Sequence, residues 1–431
     1  MMKFLYSLNN IWNYVIIFSF SVIALLLIYP LFSIFFSSFI DNESGLFTLQ
    51  NYSDILGRRY YRTAIYNSIV VGIAGMLGAL IIGIPLAYFT TRYQIKGKSL
   101  ITTLAILALV SPPFIGAYAW ITMLGSNGWL RHLLQNFGIF IPTIYGPFGI
   151  ILVFSLKFYP FVFLLTSGAL STINVSLEDA ADNLGCNPFT KFIRVTLPLV
   201  FPAVSAGALL AFVLSLADFG TPSIIGRNYK VLSTLAYNLY TSEMGGNPGL
   251  ASTVSIILIF ISLIFVYFQR RLNKRKDYGS SLLNRPTVKK LKKIYSIPVH
   301  FLCYFLVLFS SIPSIVVIFN SFRNTSGPVF KPGFGIDSYR RIIGDVPDAI
   351  FNSFMFSIAS VAMVVVLGTL IGYVIARKQS FVTDILDSMI MIPYIVPGIV
   401  LGLGLIVSDN SKPLVLVGTP LIIILAIFIR R

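Results

Sequence analysis

Side chains able to move protons, bind metals or attack carbonyls are thinly spread in this chain. It has two histidines, His132 and His300, neither with a second metal-ligating residue at useful spacing. No Ser/His/Asp or Cys/His constellation is visible, so neither catalysis nor a resident metal or cofactor is expected. The cysteines, Cys186 and Cys303, do not suggest a disulfide framework. One polar stretch does have chemistry-bearing spacing: "LEDAADNLGCNPFTKFIRVTLP", Leu177–Pro198. Ser176, with Asp179 three residues on, has capping-box spacing. Glu178, Asp179 and Asp182 put negative charge near a helix N-terminus, where the macrodipole favours it. Ala180 and Ala181 form helix without bulk, so another surface can approach closely. Gly185 suits the left-handed residue that ends a helix. Asn187 and Pro188 read as the cap and first position of a second helix, carrying Lys191 and Arg194, and Pro198 marks the start of the next apolar block. The expected product is an exposed helix–turn–helix.

What positions this hairpin is a membrane. Of 431 residues, 56% are hydrophobic and 11% charged, and the mean hydropathy is +0.85. The apolar residues come in blocks of about 20, enough to cross a hydrocarbon core of about 30 Å. The alternating pattern of an outer-membrane barrel is absent. The fold class is therefore an all-α, polytopic transmembrane bundle. Ten spans are expected, at 14–39, 64–90, 99–123, 146–170, 199–217, 250–268, 297–320, 350–376, 383–407 and 413–429. The first follows only Lys3 and has no cleavage site, so it reads as a retained span rather than a signal peptide.

Lys and Arg set the orientation. Arg92, Lys96 and Lys98, Lys191 and Arg194, the run Arg270–Lys293, Arg377 and Lys378, and Arg430 and Arg431 fall on one side if the N-terminus is cytoplasmic. The contrast is weaker at 40–63, where Asp41, Glu43 and Asp54 mix with three arginines. The net charge of +17 is concentrated beside spans, where anionic lipid explains it; no nucleic-acid partner is expected.

The chain repeats itself. "FTLQNYSDILG" at Phe47–Gly57 matches "FGIDSYRRIIG" at Phe334–Gly344, with Tyr52 and Tyr339 in register. "AIYNS" at Ala64–Ser68 matches "AIFNS" at Ala349–Ser353, Tyr88 and Arg92 match Tyr373 and Arg377, and "SPP" at Ser111–Pro113 has a counterpart in "IPYIVP" at Ile392–Pro397. An offset of about 285 residues fits six spans and their loops, so the copies are parallel. The expected domains are a first half, 1–268, a basic cytoplasmic linker, 269–296, and a second half, 297–431. The twin of Leu177–Pro198 would begin near residue 460, so the second half is expected to be incomplete, lacking its own cytoplasmic loop.

Here a resemblance is specific. Glu-Ala-Ala, three residues, Gly, nine residues, Ile, one residue and Leu-Pro is the signature loop of binding-protein-dependent ABC importer permeases of type I (MetI-like). This sequence resembles it with Asp179, Ala180, Ala181, Gly185, Val195, Leu197 and Pro198, departing only in Asp for Glu and Val for Ile. The resemblance implies that the loop, Glu178 included, is a coupling helix docked into a groove of a separate ATPase. The chain has no Gly-x-x-x-x-Gly-Lys-Ser/Thr phosphate loop, which agrees with ATP being bound by a partner. It also implies an ATPase dimer, a periplasmic or lipid-anchored substrate-binding protein, and a bacterial inner-membrane location. Two fused halves and "LADFGTPSIIG" at Leu216–Gly226 look like the ferric-iron permeases. Thiamine, phosphonate and polyamine permeases are related alternatives, and an ion-coupled secondary transporter is the more distant rival. Asp218 and Phe219, at the outer end of a span, and Lys157, in mid-span, are candidate pathway residues. Asp218 can equally cap a helix or face water, and Lys157 can snorkel or pair with a carboxylate.

Overall fold

A computed structural model describes residues 11–173, 176–242, 246–273, 288–327, 329–378, 380–411 and 414–430. Lys3, Arg431 and the middle of the basic linker, 274–287, lie outside the described residues. Apolar stretches become helices because only a helix satisfies its own backbone in hydrocarbon. Among the described residues, seven helices are long and apolar enough to cross a membrane: Trp12–Ser37, Arg59–Arg92, Pro147–Leu170, Pro188–Ala217, Pro248–Asn273, Lys293–Ser321 and Pro347–Arg377. Two short antiparallel ladders, Arg323–Ser326 with Val329–Phe334 and Asn410–Ser411 with Leu414–Val415, are the minor departure from an all-helical chain.

Three of the ten expected spans take another form. The stretches 99–123 and 383–407 are broken helices. Lys98–Val110 and Pro113–Asn136 meet at 103°, and Phe381–Ile395 and Gly398–Ser408 meet at 105°. The cause is local. Ser111 and Val396 each precede a proline, which excludes them from helical conformation, and they sit at ψ 122° and 126°. The prolines that follow, Pro112 and Pro397, sit at ψ 139° and 137° and cap the second limb in each copy. The third stretch, 413–429, contains a helix of only 11 residues, Pro420–Arg430. That rises about 17 Å and falls short of a bilayer core.

The chain divides into two compact units. One gathers Met1–Arg62, Leu232–Phe260 and Ser321–Arg431; the other gathers Thr63–Val231 and Ile261–Asn320. In the first unit the sequence repeat becomes a repeat of geometry. Ile40 bridges Phe47 as Arg323 pairs with Phe334. The Ser38 and Tyr52 hydroxyls lie 2.9 Å apart and those of Ser321 and Tyr339 2.7 Å apart. The ring of Phe39 lies 5.2 Å from that of Tyr52, and Phe322 lies 5.4 Å from Tyr339. Each copy thus closes its loop with the same Ser-Phe/Tyr clasp.

In the second unit, Pro147–Leu170 is the central helix, burying Phe154, Tyr159 and Phe163. Small residues let its neighbours approach closely, as lipid-embedded helices require. A Cβ on Gly83 of the Arg59–Arg92 helix would fall 2.8 Å from Val162 Cβ, and one on Gly207 of Pro188–Ala217 would fall 2.7 Å from Val162 Cα. Phe212 and Phe265 stack at 3.9 Å behind that contact. Gly207→Val is therefore expected to cost about 1–3 kcal/mol of stability by overpacking. Gly168→Ala, with open space around it, should instead be neutral or stabilising by a few tenths of a kcal/mol, roughly the helix-propensity gain. Thermal unfolding in detergent checks both; equal melting temperatures for the two variants would contradict this packing.

Candidate functional site

The Leu177–Pro198 stretch folds as the helix Ser176–Asn183, a turn, and a second helix from Pro188. Gly185 sits at φ +74° with nothing within 4 Å of where a Cβ would stand, so backbone handedness rather than space demands glycine. Leu184 and Cys186 donate their N–H groups to Ala180 and Ala181 carbonyls at 3.1 and 3.0 Å, closing the turn. The Asn187 side chain caps the second helix, accepting from Thr190 N–H at 2.7 Å, with Pro188 next in line. Two expectations change. Ser176 is the first helical residue rather than the cap. Pro198 does not open a new helix, because Pro188–Ala217 is continuous. A π turn at Phe192–Thr196, where the Leu197 N–H reaches the Phe192 carbonyl, accommodates the proline just after it.

Glu178 turns inward. Its Oε1 accepts from Arg92 Nη2 at 2.7 Å and from Thr196 Oγ1 at 2.8 Å, and all three residues are buried. Arg92 ends the Arg59–Arg92 helix, so one carboxylate oxygen ties the hairpin to two long helices. Tyr88, one turn before Arg92, packs edge-on to Phe192 at 4.8 Å. Asp182 pairs with Lys191 at 2.5 Å and with Lys289 at 3.7 Å. The Lys289 backbone donates to the Arg92 carbonyl at 3.0 Å and accepts from Gln94 N–H at 3.1 Å. The visible end of the basic linker is thus strapped to the same corner. His300 accepts from Lys96 N–H at 3.2 Å and Tyr304 donates to the Lys96 carbonyl at 2.7 Å, fixing the turn beside it.

Among the motif residues, Asp179, Ala180 and Gly185 are exposed, Glu178 and Ala181 are buried, and Val195, Leu197 and Pro198 are half-buried. Residue-type reasoning passes over the apolar tips. Leu184 is 84% exposed, Phe189 73% and Leu177 51%. Leu177 and Ala180 in the first helix, and Leu184 just past its end, are spaced i, i+3, i+7. A polar loop with leucines at that spacing is the signal available for them. In the sequence Arg92 serves as an orientation charge and a marker of the repeat; a basic residue closing a span and repeated in the second copy is the signal for its further role.

The pathway candidates also come together. Lys157 Nζ lies 2.7 Å from Asp218 Oδ2, with the two side chains 15% and 3% exposed. Asp218 Oδ1 accepts from Thr221 N–H at 2.8 Å, so it holds the first turn of Gly220–Ile225 from just outside that helix as well as being an ion partner. Phe219 meets Phe114 edge-on at 5.9 Å. Cys186 and Cys303 are free thiols, and no cluster of three His, Cys, Asp or Glu occurs among the described residues.

Comparison with known proteins places this architecture. Residues 79–278, which hold the hairpin, Arg92, Lys157 and Asp218, match the family described as "Binding-protein-dependent transport system inner membrane component". The chain is 31% identical to a molybdenum transport system permease protein ModB of Haemophilus influenzae, over 49% of this chain and 93% of that one. This chain belongs to the family of binding-protein-dependent transport system inner-membrane components. It is similar end to end to two longer relatives. It is 28% identical over 95% of its length to the ferric transport system permease protein FbpB of Actinobacillus pleuropneumoniae, and equally to a putative ferric transport system permease protein FbpB of H. influenzae. It spans 60% and 65% of those relatives' lengths. A solved bacterial alginate ABC transporter shares the fold, with a TM-score of 0.50 at 18% identity over 62% of this chain and 96% of that one. The protein is a multi-pass inner-membrane component of that family.

Two outcomes follow from the hairpin's electrostatics. Glu178→Ala leaves Arg92 buried and uncompensated, and should cost about 3–5 kcal/mol. The double variant Glu178→Leu/Arg92→Met should recover much of that, as a double-mutant cycle of unfolding in detergent will show. The Asp182 carboxyl is held below its ordinary value of 3.8, chiefly by its hydrogen bond to Lys191. Its contribution is therefore complete above that value and is lost as pH falls through the lowered one. Melting temperatures taken between about pH 6 and pH 3 should fall less steeply for Asp182→Asn than for the parent.

Proposed function

We propose that this chain is the permease of an importer driven by a separate ATP-hydrolysing dimer and supplied by an extracytoplasmic binding protein. The N-terminus and the hairpin then face the cytoplasm, as the basic residues require. The observation that carries this reading is an exposed apolar surface on a hairpin whose root is a buried ion pair. Leu177, Leu184 and Phe189 give the hairpin an exposed apolar surface of the kind a partner covers. Glu178 is turned away from that surface and into Arg92 and Thr196. Movement of a docked ATPase would pass through that carboxylate into the Arg59–Arg92 and Pro188–Ala217 helices. The halves would then rock between inward and outward openings. An ion-coupled transporter is less favoured, because the deep charges Lys157 and Asp218 neutralise each other.

We assign ferric iron as the cargo, on the similarity over 95% of the chain to two relatives named as ferric transport permeases. The cargo passes through rather than resides, and a tight internal site would slow release. Thiamine, phosphonate, polyamine or an oxyanion, the last suggested by the ModB relative, are the alternatives.

Leu184→Asp/Phe189→Asp changes only exposed side chains, so the fold should persist while co-purification of the partner ATPase falls at least about tenfold, the loss of one well-packed apolar anchor pair. Undiminished ATPase recovery would contradict docking at this hairpin. Uptake of labelled ferric iron by cells carrying the whole system should vanish with the same variant. Uptake of thiamine instead would overturn the cargo and leave the permease assignment standing.

A further inference from the structure

The Lys157–Asp218 pair sits where the broken helix breaks. Lys157 lies ten residues into Pro147–Leu170 (157 − 147), about 15 Å from its start and near the middle of a hydrocarbon core. It lines a cavity of about 30 Å³ together with Ser111, Pro112 and Pro113 at the 103° break, Thr221, and Ser310 of the Lys293–Ser321 helix. That volume accommodates one water-sized molecule. The Thr221 hydroxyl is fully buried and has no hydrogen-bond partner among the described residues. On the other side of the pair, Asp218 holds the first turn of Gly220–Ile225, and that short helix is pressed onto the second limb of the break. A Cβ on Gly220 would fall 2.7 Å from Pro113 Cβ and 3.3 Å from the Phe114 N. Four elements thus converge on one ion pair: the break, the central helix, the short helix and the Lys293–Ser321 helix.

A buried pair of this kind is weak as a source of stability, because both ions give up hydration to form it. It is strong as a switch between two arrangements, because separating the partners without hydrating them is very unfavourable. We infer that Lys157 and Asp218 are the latch of the transport pathway, holding the broken helix shut. When the latch parts, water enters from the side opposite the hairpin, hydrates both charges and satisfies Thr221. The small cavity, lined by Lys157, Thr221 and Ser310 among mainly apolar neighbours, is then the narrowed remnant of the passage. Lys157 and Asp218 act on the cargo through the elements they position. This inference rests on the permease reading above, and its test does not need the ATPase.

The test uses the full chain in sealed vesicles, with Cys186→Ser and Cys303→Ala removing the native thiols and Ser111→Cys supplying a single reporter thiol. A membrane-impermeant maleimide is added from either side. With Lys157→Met/Asp218→Asn added, no buried charge is left unpaired and the bond from Thr221 N–H can persist, so the variant should fold. The expected result is a rise in labelling of the reporter thiol of at least about tenfold, from the side opposite the hairpin only, reflecting a larger open population. Labelling within about twofold of the parent, or a rise from the hairpin side, overturns the latch. Asp218→Asn alone, which isolates a buried lysine, should also label faster than the parent; slower labelling counts against the proposal. Loss of ATPase association elsewhere would undermine the permease reading without altering these outcomes.

Discussion

A single carboxylate oxygen sets the character of the corner where the hairpin meets the long helices. Glu178 Oε1 accepts from both Arg92 and Thr196 in a buried setting. Ions out of water are tolerated only when each is matched, so the hairpin cannot drift from the two helices without stranding a charge. The surrounding features follow from that constraint. Ala181 is small because the helix lies close; Gly185 takes a left-handed turn because the chain must reverse within a few residues; the π turn lets Thr196 and Pro198 share one continuous helix. Asp182 and Lys289 add a more exposed layer that ties the linker to the same place.

Membrane packing supplies the rest of the stiffness. Burying apolar side chains drives no association between helices already in lipid, so close contact depends on shape. Gly83 and Gly207 let two helices close on Val162 from different sides. The helices that carry the hairpin are therefore held backbone to backbone, not across a cushion of long side chains. The break at Ser111–Pro113 is the exception, and there the chain places its deep polar groups. Irregular backbone at membrane depth is tolerated where it is covered by protein or lines a cavity, and here Ser111, Pro112 and Pro113 line one.

Much of this is legible in the residues. Composition and block length specify the helical membrane class, and Gly185, Asn187 and Pro188 specify the hairpin, because those residue types constrain the backbone locally. The repeat is legible in Tyr52 and Tyr339, although not the hydroxyl clasp each makes with Ser38 or Ser321, since that contact depends on how the loop closes. The stretches 99–123 and 383–407 look like plain spans because hydropathy sums over a window, whereas a proline acts on the residue before it. Lys157 and Asp218 each have two possible fates in the sequence alone. They are 61 residues apart, and no local rule links them. Arg92 counts there for its charge and its match to Arg377, not for an ion pair, because its partner, Glu178, is likewise distant along the chain. The exposure of Leu184 and Phe189 is hidden because a short loop gives little basis for deciding which apolar residues face outward.

The central claim is that the hairpin is a rigid extension of the membrane helices. Amide hydrogen exchange on the protein in nanodiscs tests it directly. The N–H groups of Leu184, Gly185 and Cys186, bonded to carbonyls of the preceding helix, should exchange slowly, as should the Arg92 end of Arg59–Arg92. In Arg92→Ala they should exchange fast while the Pro147–Leu170 helix keeps its protection. Free exchange across Ser176–Asn183 in the unaltered protein, or unchanged protection there in Arg92→Ala, would contradict the account.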